Sequence, residues 1–361
     1  MAGRRVTASS VAHQGPPQVV SMKKLTESSG LTFVPPTHIF TTDGSVSTTD
    51  GSVPESPSGI PVINFSSLTS SQRSVEVEKL AQACRDWGFF LVVNHGIEEN
   101  IVDGMLDGVR QFFNLAEEEK QQFEGKHVLD PIRCGTSFNV SVEKCFFWRD
   151  YLKVFVHPHF HFPHIPSGFS DISQQYCNRV REVARVVLTG ISESLGLEPN
   201  CLEEALDYDA AFQIFIANLY PPCPQPELAL GMPPHSDHGC LTFLIQNGIQ
   251  GLQVLHNGNW VTVSAPQNAF LVNTGDQLEI MSNGRYKSNV HRVVVNSKAT
   301  RISIAVAHGP SLETVVQPAA ELVDAENGNP AGYKPMQYKE YLQLQQSNQL
   351  DGKSCLDRIR V

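Results

Sequence analysis

Two side chains with metal-binding chemistry stand two residues apart in the segment Pro233-Pro-His235-Ser-Asp237-His-Gly-Cys-Leu-Thr-Phe-Leu-Ile245. Along an extended strand, residues two apart project from the same face. His235 and Asp237 therefore present an imidazole and a carboxylate together. A second imidazole, His291, lies 54 residues beyond Asp237 in Ser288-Asn-Val-His291-Arg-Val-Val-Val295. Two histidines and one carboxylate, with coordination positions left open, form the facial triad of non-haem Fe(II) oxygenases. By itself a His-x-Asp pair is a common accident. What lends it weight is Arg301-Ile-Ser303, again two apart and on one strand face. Arginine offers a planar fork of donors that fits a carboxylate, and the serine adds another donor. A cation of this kind beside a metal implies an anionic co-substrate.

Bringing such distant residues together requires a sheet structure. Residues 210 to 310 read as many short strands divided by turns such as Asn257-Gly258, Gly275-Asp276 and Asn283-Gly284, the texture of a β-sandwich or jelly roll. Upstream, Ile60-Pro-Val-Ile-Asn-Phe65 suits a short strand. Helices are predicted over about 71–87, 99–113 and from 115 onward, with a strand at Gly88-Phe-Phe-Leu-Val-Val93 between the first two. Another strand is predicted over Trp148 to Val156, then a His- and Pro-rich loop over His157 to Pro166. A long helix over 174–195 carries Val180, Val183, Val187, Ile191 and Leu195 at helical spacing. A last helix is predicted over about 336–346. The fold class expected is mainly β with flanking helices: a double-stranded β-helix (jelly roll) core plus a helical N-terminal region.

Bulk properties narrow the function classes. The 361 residues are 41% hydrophobic and 18% charged, ordinary globular values, with a formal net charge of -10. That sign argues against nucleic acid and anionic membranes as partners, and no run of about twenty apolar residues suits a membrane span. The eight cysteines form no Cys-x-x-Cys pair and read as free thiols of a reducing compartment, so a cytoplasmic location is expected; a monomer is expected as well. Met1 to Val20 carries Arg4 and Arg5 without an acid, which fits either a disordered tail or a transit peptide. The heptad TTDGSVS at 41–47 is repeated as TTDGSVP at 48–54, a short polar duplication within a linker.

Taken together, these motifs resemble the plant 2-oxoglutarate- and Fe(II)-dependent dioxygenase superfamily, which includes flavonoid, gibberellin and alkaloid oxidases. The resemblance is carried by Ile60-Pro-Val-Ile63, Trp87-Gly-Phe-Phe90, Asn94-His95-Gly96, Asn218-Leu-Tyr220-Pro-Pro-Cys223, His235-Ser-Asp237, Gly251-Leu-Gln-Val254, Asn273-Thr-Gly-Asp276, Ser288-Asn-Val-His291-Arg292 and Arg301-Ile-Ser303. It spans roughly residues 60 to 345; Met22-Lys-Lys-Leu and Gly30-Leu-Thr-Phe-Val-Pro also resemble the leading end of these enzymes. The chain is expected to divide into a flexible extension and linker over 1–59, an N-terminal dioxygenase region over 60–170, a long helix and connection over 171–211, the jelly-roll core over 212–312 and a C-terminal helical segment and tail over 313–361.

The resemblance further implies iron ligands His235, Asp237 and His291, with Arg301, Ser303 and Tyr220 on the distal carboxylate of 2-oxoglutarate and Asn218 beside it. The implied cofactors are Fe(II) and 2-oxoglutarate, supported by ascorbate. The implied reaction couples hydroxylation of a small molecule, or its O-demethylation or desaturation, to decarboxylation of 2-oxoglutarate to succinate. The substrate stays open among flavonoids, other phenolics, terpenoid hormones and alkaloids. Its contacts are expected at Phe138, Phe147, Lys153, Phe212, Ile214 and His308. By strand parity His238 should point away from the metal. His95 reads as a turn residue, and the run His157-Pro-His159-Phe-His161 with His164 as a rim of the substrate mouth rather than a second metal site. Three other readings use the same residues: an oxidase with the triad but without 2-oxoglutarate, a non-catalytic metal- or small-molecule-binding sensor, and a zinc hydrolase, which would need no carboxylate anchor.

Overall fold

A computed structural model describes residues 20–28, 30–40 and 59–361; the Arg4–Arg5 tail and the repeated heptad lie outside the described residues. The apolar, β-branched runs form strands in three sheets. The strands used below are β1 (Val62–Asn64), β2 (Phe89–Val93), β3 (Ile132–Thr136), β4 (Asp150–His157), β5 (Gln213–Tyr220), β6 (Leu230–His235), β7 (Leu241–Gln246), β8 (Leu252–His256), β9 (Asn259–Thr262), β10 (Phe270–Thr274), β11 (His291–Val294) and β12 (Arg301–His308). The large sheet runs in the order β1-β2-β10-β7-β12-β5-β4-β3, and a four-stranded sheet runs β6-β11-β8-β9. Neighbours in these orders are mostly far apart in sequence, as expected of a double-wound jelly roll.

One face of the large sheet packs on the helices Arg73–Asp86, Glu99–Asn114 and Phe169–Ser194. The last of these buries Tyr176, Val180, Val183, Val187 and Ile191, a stripe at helical period. The opposite face meets the small sheet. Phe89, Leu91, Trp148 and Tyr220 from one side pack with Met232, Leu252, Val254 and Val293 from the other. The chemistry sits within this second layer. Among the described residues no helix is long and apolar enough to cross a membrane, and all eight cysteines are free.

Several local expectations meet a different outcome. Residues 22–28 and 30–40, assigned from sequence to the extension, dock against the body of the fold. The backbone N–H groups of Met22 and Lys23 donate to the Asp150 carboxylate at 2.7 and 2.8 Å, and Met22 is buried. Asn257 and Gly258 do form a tight hairpin between β8 and β9, with positive φ at both. Gly275-Asp276 instead opens a short helix, Asp276–Met281, and Asn283-Gly284 closes it. Its residues, Leu278, Ile280 and Met281 among them, are all buried, and this buried apolar run outweighs the turn signals at its ends.

Candidate active site

β6 and β11 are antiparallel neighbours whose register places His291 directly opposite His235. That pairing is the reason residues so distant in sequence meet. Their rings lie 4.2 Å apart between centroids. Nε2 of His235 and of His291 stand 3.8 and 3.6 Å from Oδ1 of Asp237. The three ligand atoms lie within 4.8 Å of one another, a spacing that can hold a metal ion.

Each donor is aimed by a second partner. Nδ1 of His235 faces the Pro233 carbonyl at 2.8 Å, and Nδ1 of His291 faces the Asn289 carbonyl at 3.3 Å. A carbonyl only accepts, so the proton is assigned to Nδ1 and the Nε2 lone pair is left toward Asp237. Burial, reinforced by His291, pushes the His235 imidazole down to about 3, which keeps it neutral and able to ligate. Burial alone would raise Asp237. The two imidazoles, Thr242 and Asn273 outweigh it and hold the carboxyl well below its ordinary range. Its Oδ2 accepts from Thr242 Oγ1 at 2.6 Å and Asn273 Nδ2 at 2.9 Å, leaving Oδ1 for the metal side. Two imidazoles and a carboxylate are a donor set that fits ferrous iron.

β6 ends at His235, so Asp237 sits in the loop that follows rather than on a strand. His235 and Asp237 converge as expected, but alternation does not extend past the strand end. His238, expected to point away, lines the same cavity, with Nδ1 2.9 Å from the Tyr338 hydroxyl.

The cavity holds about 1050 Å³ of empty space including its open mouth. Arg301 and Ser303 line it from β12, opposite Tyr220 and Asn218 of β5 in register. Arg301 is 1% exposed. It donates to Gln246 Oε1 at 2.9 Å and to Ser303 Oγ at 3.4 Å, while its Nε has no partner. No carboxylate pairs with it among the described residues. Its guanidinium lies 5.1 Å from the Tyr220 ring centre. A Cβ at Gly251 would come within 2.9 Å of Arg301 Cδ, so the glycine makes room for the side chain. A buried guanidinium with an orphaned N–H and no anion fits a dianionic co-substrate.

Of the expected substrate contacts, Phe138 and Lys153 line the cavity. Phe147, Phe212, Ile214 and His308 do not. Phe147 is buried in the core between the sheets. Ile214 shares the face of the cavity-lining Ile216, but the helix Tyr338–Ser347 covers that end of the sheet, and Phe212 and Ile214 pack with Tyr338 and Leu342. His308 is buried against Phe243 with Nε2 3.2 Å from Gln213 Nε2. None of the histidines at 157–164 lines the cavity. His157 Nδ1 reaches the Ala211 carbonyl at 2.8 Å, and Phe162 packs on Phe215 at the helix-covered side. His95 is structural, its Nε2 3.0 Å from the Asn268 carbonyl. Sequence reasoning missed Thr242, Gln246, Arg133, Arg149, Gln345 and Gln346. Their partners come from other elements, and no local motif marks them.

Comparison with known proteins gives concordant results. Residues 211–310 match the model of the 2OG-Fe(II) oxygenase superfamily, and residues 60–169 match that of the non-haem dioxygenase in morphine synthesis N-terminal region. The chain is 42% identical to 2-oxoglutarate-dependent dioxygenase 19 of Oryza sativa subsp. japonica, over 84% of this chain and 90% of the relative. It is 35% identical to thebaine 6-O-demethylase of Papaver somniferum over 96% of both. Among solved structures it resembles JOX2 in complex with 2OG, Fe and JA, with a TM-score of 0.86 and 31% identity, covering 96% of this chain and 99% of that one.

Proposed function

The chain belongs to the 2OG-Fe(II) oxygenase superfamily, and from that premise we propose that His235, Asp237 and His291 hold its iron while Arg301 and Ser303, with Tyr220 and Asn218 beside them, receive 2-oxoglutarate. The protein is a 2-oxoglutarate-dependent dioxygenase. It oxidises a small molecule with O₂ and converts 2-oxoglutarate to succinate and CO₂. Iron, when bound, supplies the activation of O₂ that amino-acid side chains lack.

The observation that carries the assignment is the buried Arg301 guanidinium, with its Nε unpartnered and no carboxylate beside it among the described residues, in the same cavity as the His-Asp-His cluster. Arg301 and Ser303 fix one end of the co-substrate and so set its orientation. Thr242 and Asn273 keep the Asp237 carboxylate turned toward the two imidazoles. The apolar lining, Met232, Leu244, Leu252 and Val293 among it, limits water around the reacting carbon.

The substrate proposed is a plant secondary metabolite or hormone: a flavonoid, another phenolic, a terpenoid hormone or an alkaloid. Relatives named for alkaloid and flavonoid demethylation support that range. The same reading takes the protein as a cytoplasmic monomer that binds neither nucleic acid nor membrane, in keeping with its net charge of -10. The test is succinate release with Fe(II), ascorbate and 2-oxoglutarate across such compounds. Substrate-dependent succinate is expected. Oxidised product formed without succinate would indicate an oxidase that does not use the co-substrate, and ligand binding without turnover would indicate a sensor.

A further inference from the structure

The cavity carries more positive charge than iron and 2-oxoglutarate require. Four basic side chains line it, Arg133, Arg149, Lys153 and Arg301, against one carboxylate, Asp237. A divalent iron, Asp237 and a dianionic co-substrate together leave one negative charge, which Arg301 offsets. Arg133, Arg149 and Lys153 remain. None pairs with a carboxylate among the described residues. Lys153 and Arg149 are 8% and 6% exposed. A buried cation without a counter-charge is unfavourable, and proteins keep one mainly where something anionic arrives.

The three are not equivalent. Arg149 is engaged near the co-substrate strand, donating to Asn218 Oδ1 at 2.7 Å and to the Ser137 carbonyl at 2.8 Å. Arg133 and Lys153 are direct cross-strand partners on β3 and β4. Both donate to one neutral acceptor, Oε1 of Gln346, at 3.3 and 2.7 Å. Arg133 Nε has no partner. Lys153 is opposite Ile216, whereas Arg301 is opposite Tyr220. Four residues along and two strands across put Lys153 about 13 Å by about 10 Å from Arg301 in the sheet. The pair is therefore a second cationic pole, distinct from the co-substrate anchor. The cavity wall also carries apolar or small side chains, Ile216, Ala305, Met232, Leu244 and Val293, with Asn218 and Ser303 next to the Arg301 pole.

We infer that the substrate is a small organic carboxylate, whose acid group is received by Arg133 and Lys153 while its apolar body extends toward the His235–Asp237–His291 cluster. The inference rests on the oxygenase reading above and narrows its substrate class. Burial, then Arg133 and Arg149, holds the Lys153 ammonium well below its ordinary range, and an incoming carboxylate reverses that penalty. The Gln346 amide oxygen marks the point where two donors converge, and the helix Tyr338–Ser347 that carries it lines the cavity beside them.

The experiment measures binding without turnover. The full chain with Fe(II) and 2-oxoglutarate is held free of oxygen and dialysed to equilibrium against matched pairs: cinnamate, jasmonate and indole-3-acetate, each beside its methyl ester, with naringenin as a neutral phenolic. At least one acid is expected to bind tenfold or more tighter than its ester. Lys153→Met, and separately Gln346→Glu, which places an internal carboxylate on the pair, should bring that ratio close to one. The affinity for 2-oxoglutarate should stay within about twofold. Esters or naringenin binding as tightly as the acids would overturn the inference. So would 2-oxoglutarate binding with no acid bound, or variants that lose 2-oxoglutarate in parallel with the acid. Failure of the wild-type chain to bind 2-oxoglutarate in the presence of iron is a separate result, and it would overturn the oxygenase reading itself.

Discussion

Thr242 donates a 2.6 Å hydrogen bond to Oδ2 of Asp237, so that Oδ1 alone faces the two imidazoles. Asn273 reinforces this from β10 at 2.9 Å. Partners that orient a metal ligand are commonly worth ten- to a hundredfold in metal affinity. Thr242→Val combined with Asn273→Ala should weaken Fe(II) binding by roughly that factor. The fold should persist, because neither side chain anchors a large apolar cluster. Anaerobic metal titration reads the effect; affinity equal to wild type would mean that the carboxylate needs no such aiming.

Arg301 has a different role, and the two can be separated. Arg301→Gln removes the charge but leaves the metal donors untouched. Loss of a buried charge partner typically costs about 2–5 kcal/mol. The Kd for 2-oxoglutarate should therefore rise by about a hundredfold, whereas Fe(II) affinity changes little. Calorimetric titration of each in turn checks this, and an unchanged co-substrate Kd would place the anchor elsewhere.

Close backbone approach fixes the Asp237 loop. A Cβ at Gly275 would collide with the Gly239 carbonyl and lie 3.1 Å from the Asp237 carbonyl oxygen, both of them backbone. The N–H groups of Gly275, Asp276 and Gln277 donate to the Cys240, Asp237 and Gly239 carbonyls at 2.8, 2.8 and 2.9 Å. Gly275→Ala must push this clamp apart. Overpacking of this kind costs about 1–3 kcal/mol, and iron affinity should fall with stability. A variant with wild-type melting and metal binding would show that the loop absorbs the methyl group.

Acid stability gives a test of His308 as a buried neutral residue. Burial, with Arg181 second, pushes its imidazole down to about 3, against an unfolded value near 6.5. Below about pH 6.5 the unfolded chain takes up a proton that the folded chain refuses. Unfolding therefore gains protons, and stability falls as pH drops from about 6.5 toward 3, by about 1.4 kcal/mol per pH unit for this group. His308→Gln keeps an acceptor for Gln213 and removes the titration. Urea unfolding at several pH values between 7 and 4 should give a shallower slope in the variant. Equal slopes would mean that His308 is already paired or solvated.

Packing likewise separates wall from core along β5. Ile214→Ala should destabilise by about 2–5 kcal/mol, as for other buried large-to-small changes, and leave substrate discrimination as it was. Urea unfolding and a compound screen on the same variant read the two effects. A changed substrate preference would return Ile214 to the cavity wall.

The chemistry at the centre was legible in the residues themselves. Strand parity linked Arg301 to Ser303, because a pleated strand repeats every two residues and the spacing carries the geometry; the same spacing picked out His235 and Asp237, although Asp237 reaches the cluster from the loop after β6. The pattern of turns and short apolar runs likewise announced stacked sheets, and the valine stripe announced the long helix. Tertiary structure alone decided the rest. His238 turned into the cavity because β6 ends at His235, and a strand's end depends on its neighbours rather than on its own residues. Ile214 left the cavity because a helix more than a hundred residues downstream covers it. Arg133 and Lys153 became a pole of charge because two strands pair in one register and Gln346 reaches them from the C-terminal helix. Contacts set by register and by the covering of a face arise between segments, so no single stretch of chain encodes them.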